Sequence, residues 1–398
     1  MSTVSKSNRL IFVDQYRGLI MVLMALDHTL YFWCSGGRIS NEGLPLLING
    51  LLQFNRPQQF TGSEFIIMLL SSLAAPGFLF LSGYVLSRSL NHRREMGMTS
   101  SEITRHLMRR GLTLIFLQIL IISPAFNFPA ILSAQTLSIF SIGTFFSFSV
   151  LSTIGTGLIF LALVQRFSPW IGLLTTLSLY AGEQLYLPLL SRTFPSLSLA
   201  SKALVSYFLL PVPFDPTYFL NQNFPVIPWL VPISLGWLFG EMFKRKKDIF
   251  YEGKRFIIAG SVMLFSFLIL RINNVGDYLP FDGSFSSFFV LSKYPPSPDY
   301  LLFYMGIMFL LFYFLIQIKQ RFKLLNFLEN FGQVPLFFYL IHLWVYSLIP
   351  LLFNKFNVIS LKIGLLVWIL GLIILYSLCK EYNYKHEYNR RNVPIRSH

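Results

Sequence analysis

Four ionisable side chains, Asp14, Arg17, Asp27 and His28, stand inside one apolar stretch, RLIFVDQYRGLIMVLMALDHTLYFW at residues 9–33. Imidazole changes charge near neutral pH, so a histidine held in such a segment can take a proton from a hydroxyl or an amine. A carboxylate beside it, here Asp27, can orient the ring or balance its charge. Arg17 offers a planar, permanently charged fork that suits phosphate or carboxylate. Arg17 and His28 are eleven residues apart, three helical turns, which puts both on one helix face about 16 Å apart along the axis. Met21, Met24 and Ala25 fill the face between them. Two plainer readings stand beside the chemical one. Asp14 and Arg17 have the i, i+3 spacing of a salt bridge that merely orients a helix, and Asp27 suits an interfacial position at a helix end.

Of six histidines, His92, His106, His386 and His398 fall in or near basic segments between apolar runs, and His28 and His342 lie within apolar runs. We read His28 as the general base. His342 is the second catalytic candidate, against a structural hydrogen bond between helices.

The elements that must position these groups are membrane helices. The chain is 54% hydrophobic and 17% aromatic but only 12% charged, whereas soluble domains carry roughly a quarter charged residues. Spanning a bilayer takes about 20 mostly apolar residues in a helix, because every backbone group must be satisfied internally. That rule predicts about ten spans, near residues 10–33, 64–87, 106–126, 144–165, 169–189, 224–243, 255–271, 299–317, 333–353 and 361–379. The short alternating segments of a β-barrel are not seen. The expected fold is therefore an all-α, polytopic integral membrane helix bundle, a single domain over 1–398 with short tails at 1–9 and 380–398.

Lys and Arg collect at alternate ends of these spans. One set carries Lys6 and Arg9; Arg88, Arg93, Arg94, Arg105, Arg109 and Arg110; Arg166; Lys244–Lys247, Lys254 and Arg255; Lys319, Arg321 and Lys323; and the basic tail with Arg396. The positive-inside rule then makes both termini cytoplasmic, as an even number of spans requires. The net charge of +15 is mostly this topology signal: it attracts anionic lipid headgroups and calls for no nucleic-acid partner. Cys34 and Cys379 fall at opposite membrane faces in this arrangement and cannot bridge within one chain; no metal-type cysteine cluster occurs. The first apolar run is too long and too charged for a removable signal peptide and reads as a signal anchor. Longer extracytoplasmic connections are expected at 34–63, 190–223 and 272–298, where an acceptor from that side would be shaped. In the last of these, Pro295 and Pro296 stiffen the entry to the eighth span.

Six motifs follow one another: VDQYRGLIMVLMALDH, AAPGFLFLSGY at 74–84, FPVIPWLVPISLGWLFG at 224–240, SKYPPS at 292–297, GQVPLFFYLIHL at 332–343 and the closing VWILGLIILYSLCK. In that order they resemble the bacterial membrane proteins grouped with the catalytic domain of heparan-alpha-glucosaminide N-acetyltransferase. The resemblance implies a transmembrane acyltransferase that takes an acetyl group from cytosolic acetyl-CoA and places it on an extracytoplasmic sugar amine or hydroxyl, in a bacterial inner membrane. It sets Arg17 and His28 at the spacing found in bacterial sugar-modifying membrane acyltransferases. The lysosomal relative holds Asn where His28 stands, with a candidate histidine in the following loop. Here no histidine occurs from 29 to 63, so the chemistry must rest on His28. Many bacterial members hold Arg where Gln333 stands.

On this reading Arg17 and Asp14, with Pro76, Gly77, Gly83, Trp229 and Lys293, face the acyl-CoA donor, and loop residues such as Arg109 and Arg110 are candidates for its phosphates. The commoner role of Gly77, Gly83 and their small neighbours is close helix packing, with a channel for the pantetheine arm the sharper alternative; Trp229 and the run Phe337, Phe338 and Tyr339 share that ambiguity. A second class remains, a transporter or flippase of a lipid-linked or sugar intermediate, which broken helices and buried charges also mark. The sequence leaves the acceptor, the acyl chain and pairing with a second copy as a homodimer open.

Overall fold

The computed structural model describes residues 11–34, 45–48, 51–54, 62–127, 147–210, 221–222, 224–242, 249–318, 325–352 and 358–392. The basic residues Lys6, Arg9, Lys244–Lys247, Lys319, Arg321, Lys323 and Arg396 lie outside the described residues. The described chain is overwhelmingly helical, with fourteen helices among the described residues. They are α1 (Ile11–Trp33), α2 (Gly62–Ser72), α3 (Ala74–Glu95), α4 (Ser100–Leu117), α5 (Val150–Val164), α6 (Pro169–Thr193) and α7 (Leu199–Phe208). Then come α8 (Val226–Met242), α9 (Ile249–Ile272), α10 (Phe285–Phe289), α11 (Pro298–Ile318), α12 (Asn326–Gln333), α13 (Pro335–Leu352) and α14 (Leu361–Asn392). Among the described residues strand pairing is limited to an antiparallel hairpin, Pro45–Ile48 with Leu51–Phe54, a two-residue parallel pairing of Ser147–Phe148 with Asn221–Gln222, and isolated bridges.

Among the described residues five helical runs are long and apolar enough to cross a membrane: Gly62–Glu95, Ser100–Asn127, Gly253–Ile272, Pro298–Ile318 and Leu361–Lys385. They make this an integral membrane protein. Their outer faces are what lipid requires: α14 exposes Ile363, Leu366, Leu370 and Ile373, and α9 exposes Ile258, Val262, Phe265 and Ile269. The apolar run expected at 333–353 holds the helix Pro335–Leu352, and a break at Val334 bends it by 95° from Asn326–Gln333, which precedes it. The cause is local. Val334 sits at φ −126°, ψ 55°, because the ring of Pro335 disfavours helical geometry in the residue before it. The expected spans at 144–165 and 224–243 contain helices of only 15 and 17 residues, α5 and α8, about 23 and 26 Å of rise. α1 and α6 have the length, but α1 carries Asp14, Arg17 and Asp27 and α6 carries Glu183 and Arg192, which lowers their hydropathy.

The chain divides into two compact units. The first is residues 1–38 with 310–398, and the second is 39–309. In the first, α1 packs along α12, α13 and α14. Indole and phenol groups tie this unit through backbone carbonyls: Trp33 Nε1 donates to Tyr346 O (3.1 Å), Tyr346 Oη to Trp368 O (2.9 Å) and Trp368 Nε1 to Val22 O (3.2 Å). Each bond satisfies an aromatic polar tip in an apolar interior. Gly18 lies so close to Leu328, and Gly332 so close to Asp14, that a Cβ on either would overlap the facing backbone carbonyl.

In the second unit α3 packs along α8 and α4 along α5. Small residues permit both contacts. A Cβ on Gly83 would overlap Ile233 O, one on Gly236 would overlap Phe80 O, and Gly111 and Gly155 face each other's carbonyls. One corner of this unit is fastened by polar bonds. Thr99 and Glu102 form a reciprocal cap at the start of α4, and Arg94 Nη2 donates to Gln165 O and Oε1 at 2.7 and 2.9 Å.

Candidate active site

His28 and His342, 314 residues apart in sequence, meet in the first unit. Both rings are buried, and His28 Nδ1 lies 2.9 Å from His342 Nε2. His342 Nδ1 in turn lies 3.1 Å from the carbonyl oxygen of Phe338. That carbonyl can only accept, so His342 must carry its hydrogen on Nδ1. A neutral His342 then has its lone pair on Nε2, and the shared hydrogen of the pair belongs to His28 Nδ1. Consequently neutral His28 holds its own lone pair on Nε2. The ring geometry agrees with an in-plane hydrogen bond: the two imidazole centres are 5.1 Å apart with their planes only 26° apart, and the Phe338 ring lies 5.4 Å from His342 at 16°.

Each histidine is where its helix dictates. His28 is in the last two turns of α1, on the same side as Ala25, whose carbonyl takes the Thr29 hydroxyl at 2.7 Å. His342 sits four residues after Phe338 on α13, so its ring reaches back to the carbonyl one turn below. Asp27 is buried next to His28 in the chain.

Three turns toward the amino end of α1, Arg17 donates through Nη1 to Asp14 Oδ1 at 3.1 Å and to Gly332 O at 2.7 Å. Asp14 and Arg17 thus form the i, i+3 pair, and the guanidinium also clasps the end of α12. The pair is part-buried, so removing one partner costs less than the about 3–5 kcal/mol of a fully buried pair. Arg17→Ala should therefore lower the thermal midpoint of the detergent-solubilised protein, and adding Asp14→Asn should recover much of the loss. An unchanged midpoint in Arg17→Ala would remove this structural role.

The remaining donor-side candidates belong to the second unit. Pro76 and Gly77 open α3, where Gly77 N donates to Leu73 O at 3.3 Å. Gly83 is one turn and a half further on and faces α8 as described. Trp229, between Pro228 and Pro232 on α8, is fully buried, 5.2 Å from the Phe224 ring and 6.0 Å from the Tyr300 ring. Lys293 is buried in the loop before α11, its Nζ 5.1 Å from the centre of the Tyr294 ring. Gln333 is engaged locally, donating to Glu329 Oε1 at 2.7 Å and accepting from Asn383. Arg109 and Arg110 are exposed on α4.

A polar knot that sequence reasoning passes over lies beside Lys293. Arg271 is buried at the end of α9 and spends its guanidinium on the carbonyls of Leu279 (2.7 Å), Phe288 (3.1 Å), Val290 (3.3 Å) and Ser287. Asp277 accepts from Leu279 N (2.8 Å), Ser292 N (3.1 Å) and the Ser297 hydroxyl. Burial pushes the Asp277 carboxyl up to about 6, against the lowering pull of Ser297, the Leu279 amide and Arg271. These bonds fix the 272–298 loop that carries Lys293. The available signal was an arginine closing an apolar run, followed by the Asn-, Gly- and Asp-rich turn NNVGD.

The family model described as heparan-alpha-glucosaminide N-acetyltransferase, catalytic, matches residues 48–269, more than half of the chain. Pro76, Gly77, Gly83 and Trp229 lie inside the matched segment. Asp14, Arg17, Asp27, His28, Lys293 and His342 lie outside it. Among curated proteins none matches the chain.

Proposed function

The chain belongs to the heparan-alpha-glucosaminide N-acetyltransferase catalytic family, and from that membership we propose that it moves an acetyl or other acyl group from cytosolic acyl-CoA to a sugar amine or hydroxyl of an extracytoplasmic glycan. The observation that carries the chemistry is the hydrogen-bonded pair of His28 and His342. It leaves the basic lone pair of His28 on Nε2. An acceptor O–H or N–H placed against that nitrogen loses its proton to it as the acceptor attacks the thioester carbonyl. The carbonyl pair moves to oxygen, returns to form the new ester or amide, and expels the CoA thiolate, which takes up the proton. His342 is a positioning residue in this scheme. It fixes the tautomer of His28 and shares the imidazolium charge with the Phe338 carbonyl, the part a carboxylate plays beside a catalytic histidine elsewhere. Asp27 adds a counter-charge next to the ring.

Arg17 and Asp14, Pro76, Gly77, Gly83, Trp229 and Lys293 serve the donor in this reading. The chain works as one domain over 1–398, with about ten spans, both termini cytoplasmic, in a bacterial inner membrane. Microcalorimetric titration of the purified protein with acetyl-CoA tests the reading against a transporter. Saturable binding is expected, and its absence at millimolar acetyl-CoA would contradict an acyl-CoA enzyme.

A further inference from the structure

Serine inside a helix ordinarily returns its hydroxyl to a carbonyl three or four residues back. Ser71, Ser82 and Ser152 do so, to Met68 O at 3.3 Å, Leu79 O at 2.6 Å and Ser149 O at 2.7 Å. Buried indoles ordinarily find an acceptor too, as Trp33 and Trp368 do here. Ser72 and Trp229 depart from both habits. Each is fully buried, and among the described residues neither Ser72 Oγ nor Trp229 Nε1 has a hydrogen-bond partner. A buried donor left unmet in an apolar interior is costly and calls for an explanation.

The two donors flank one residue. Tyr300 Oη donates to the backbone carbonyl of Ser72 at 2.8 Å, and the Tyr300 ring meets the Trp229 ring edge-on, 6.0 Å away at 85°. Phe224 and Tyr304 complete an aromatic surround, 5.2 Å from Trp229 and 4.5 Å from Tyr300. α8 carries two more buried donors without a partner among the described residues, Ser234 Oγ and Trp237 Nε1. Uncharged donors in an aromatic setting suit a carbonyl oxygen, which has two lone pairs to offer and no net charge.

We propose that Ser72 Oγ and Trp229 Nε1 together bind the carbonyl oxygen of the acyl thioester. The assignment rests on the acyl-CoA reading above and deepens it by naming where the acyl group is held. Trp229 is near the start of α8 and Tyr300 near the start of α11, which the proposed orientation makes their extracytoplasmic ends. A donor entering from the cytoplasm with its acyl group leading would bring its carbonyl to that depth.

Acetyl-CoA has this carbonyl and CoA does not, which makes the pair of ligands the probe. Binding of each to wild type, Ser72→Ala, Trp229→Phe and the double variant is measured by microcalorimetry on detergent-solubilised protein. Each single variant should lose about three- to tenfold in acetyl-CoA affinity, the worth of one neutral hydrogen bond, with the double variant binding both ligands alike. Ser72→Thr should keep the preference. The carbonyl stretch of bound 13C-labelled acetyl-CoA should also move to higher wavenumber in the double variant, as its donors are lost. If Trp229→Phe fails to fold, Ser72→Ala alone decides by the same two readouts. An unchanged affinity ratio and an unmoved stretch would overturn the subsite while leaving the acyl-CoA reading in place. Wild type that binds neither ligand would overturn both.

Discussion

His28→Ala is expected to lower acyl transfer by about two to four orders of magnitude, the usual worth of a positioned general base, while folding and acyl-CoA affinity stay near wild type. The expectation follows from the bonding order at the pair. Phe338 O fixes the hydrogen of His342, His342 Nε2 fixes the hydrogen of His28, and the proposed base is thereby His28 Nε2. His342→Phe removes the acceptor of His28 Nδ1 without touching the proposed base itself, so it should cost less. His28→Asn is the more telling variant, because the resemblance noted in the sequence implies Asn at this position in the lysosomal relative. Substantial transfer by His28→Asn would mean that position 28 works by hydrogen bonding and that the proton goes to another group, with His342 next in line. Wild-type rates in His28→Ala beside normal acyl-CoA binding would refute the assignment.

The largest effect on stability is expected from Gly332→Ala. Its added methyl would overlap the carbonyl of Asp14, backbone against backbone, and nothing flexible is present to give way. Overpacking of a well-filled contact costs about 1–3 kcal/mol and occasionally more. Here the shift would also disturb the bond from Arg17 to Gly332 O. Thermal unfolding in detergent should show a midpoint well below wild type, with Gly18→Ala behaving alike because it meets Leu328 in the same contact. By contrast Gly62→Ala, which meets nothing, should leave the midpoint unmoved. Equal midpoints for Gly332→Ala and Gly62→Ala would show that α1 and α12 do not approach this closely.

What was legible in the sequence depended on distance along the chain. The shared face of Arg17 and His28, and the Asp14–Arg17 pair, follow from helical period alone, and both lie on α1 as read. Hydropathy found the runs that became Gly62–Glu95, Ser100–Asn127, Gly253–Ile272, Pro298–Ile318 and Leu361–Lys385. It also found Pro335–Leu352, within the run expected at 333–353, but gave no helix at Asn326–Gln333 and so no 95° bend between the two, although the Val-Pro step was the cue. Periodicity carries no information on which helices touch. It therefore could not pair His28 with His342, assign their tautomers, or show that Gly332 and Gly18 are contact points. The Arg271 and Asp277 knot escaped for the same reason: its bonds are to carbonyls and amides, which every residue has. Ser72 looked like any small residue of a packing face, and only the absence of a partner for its hydroxyl sets it apart.

The central claim is that an acyl group passes from CoA on one side of the membrane to an amine or hydroxyl on the other. Proteoliposomes test it, with radiolabelled acetyl-CoA supplied only at the face proposed to be cytoplasmic and a glucosamine-ended saccharide only at the opposite face. The account predicts labelled, acetylated saccharide on the far side with wild-type protein and almost none with His28→Ala. Saccharide that stays unlabelled while bound acetyl-CoA is readily detected, or saccharide that crosses the membrane unmodified, would contradict it.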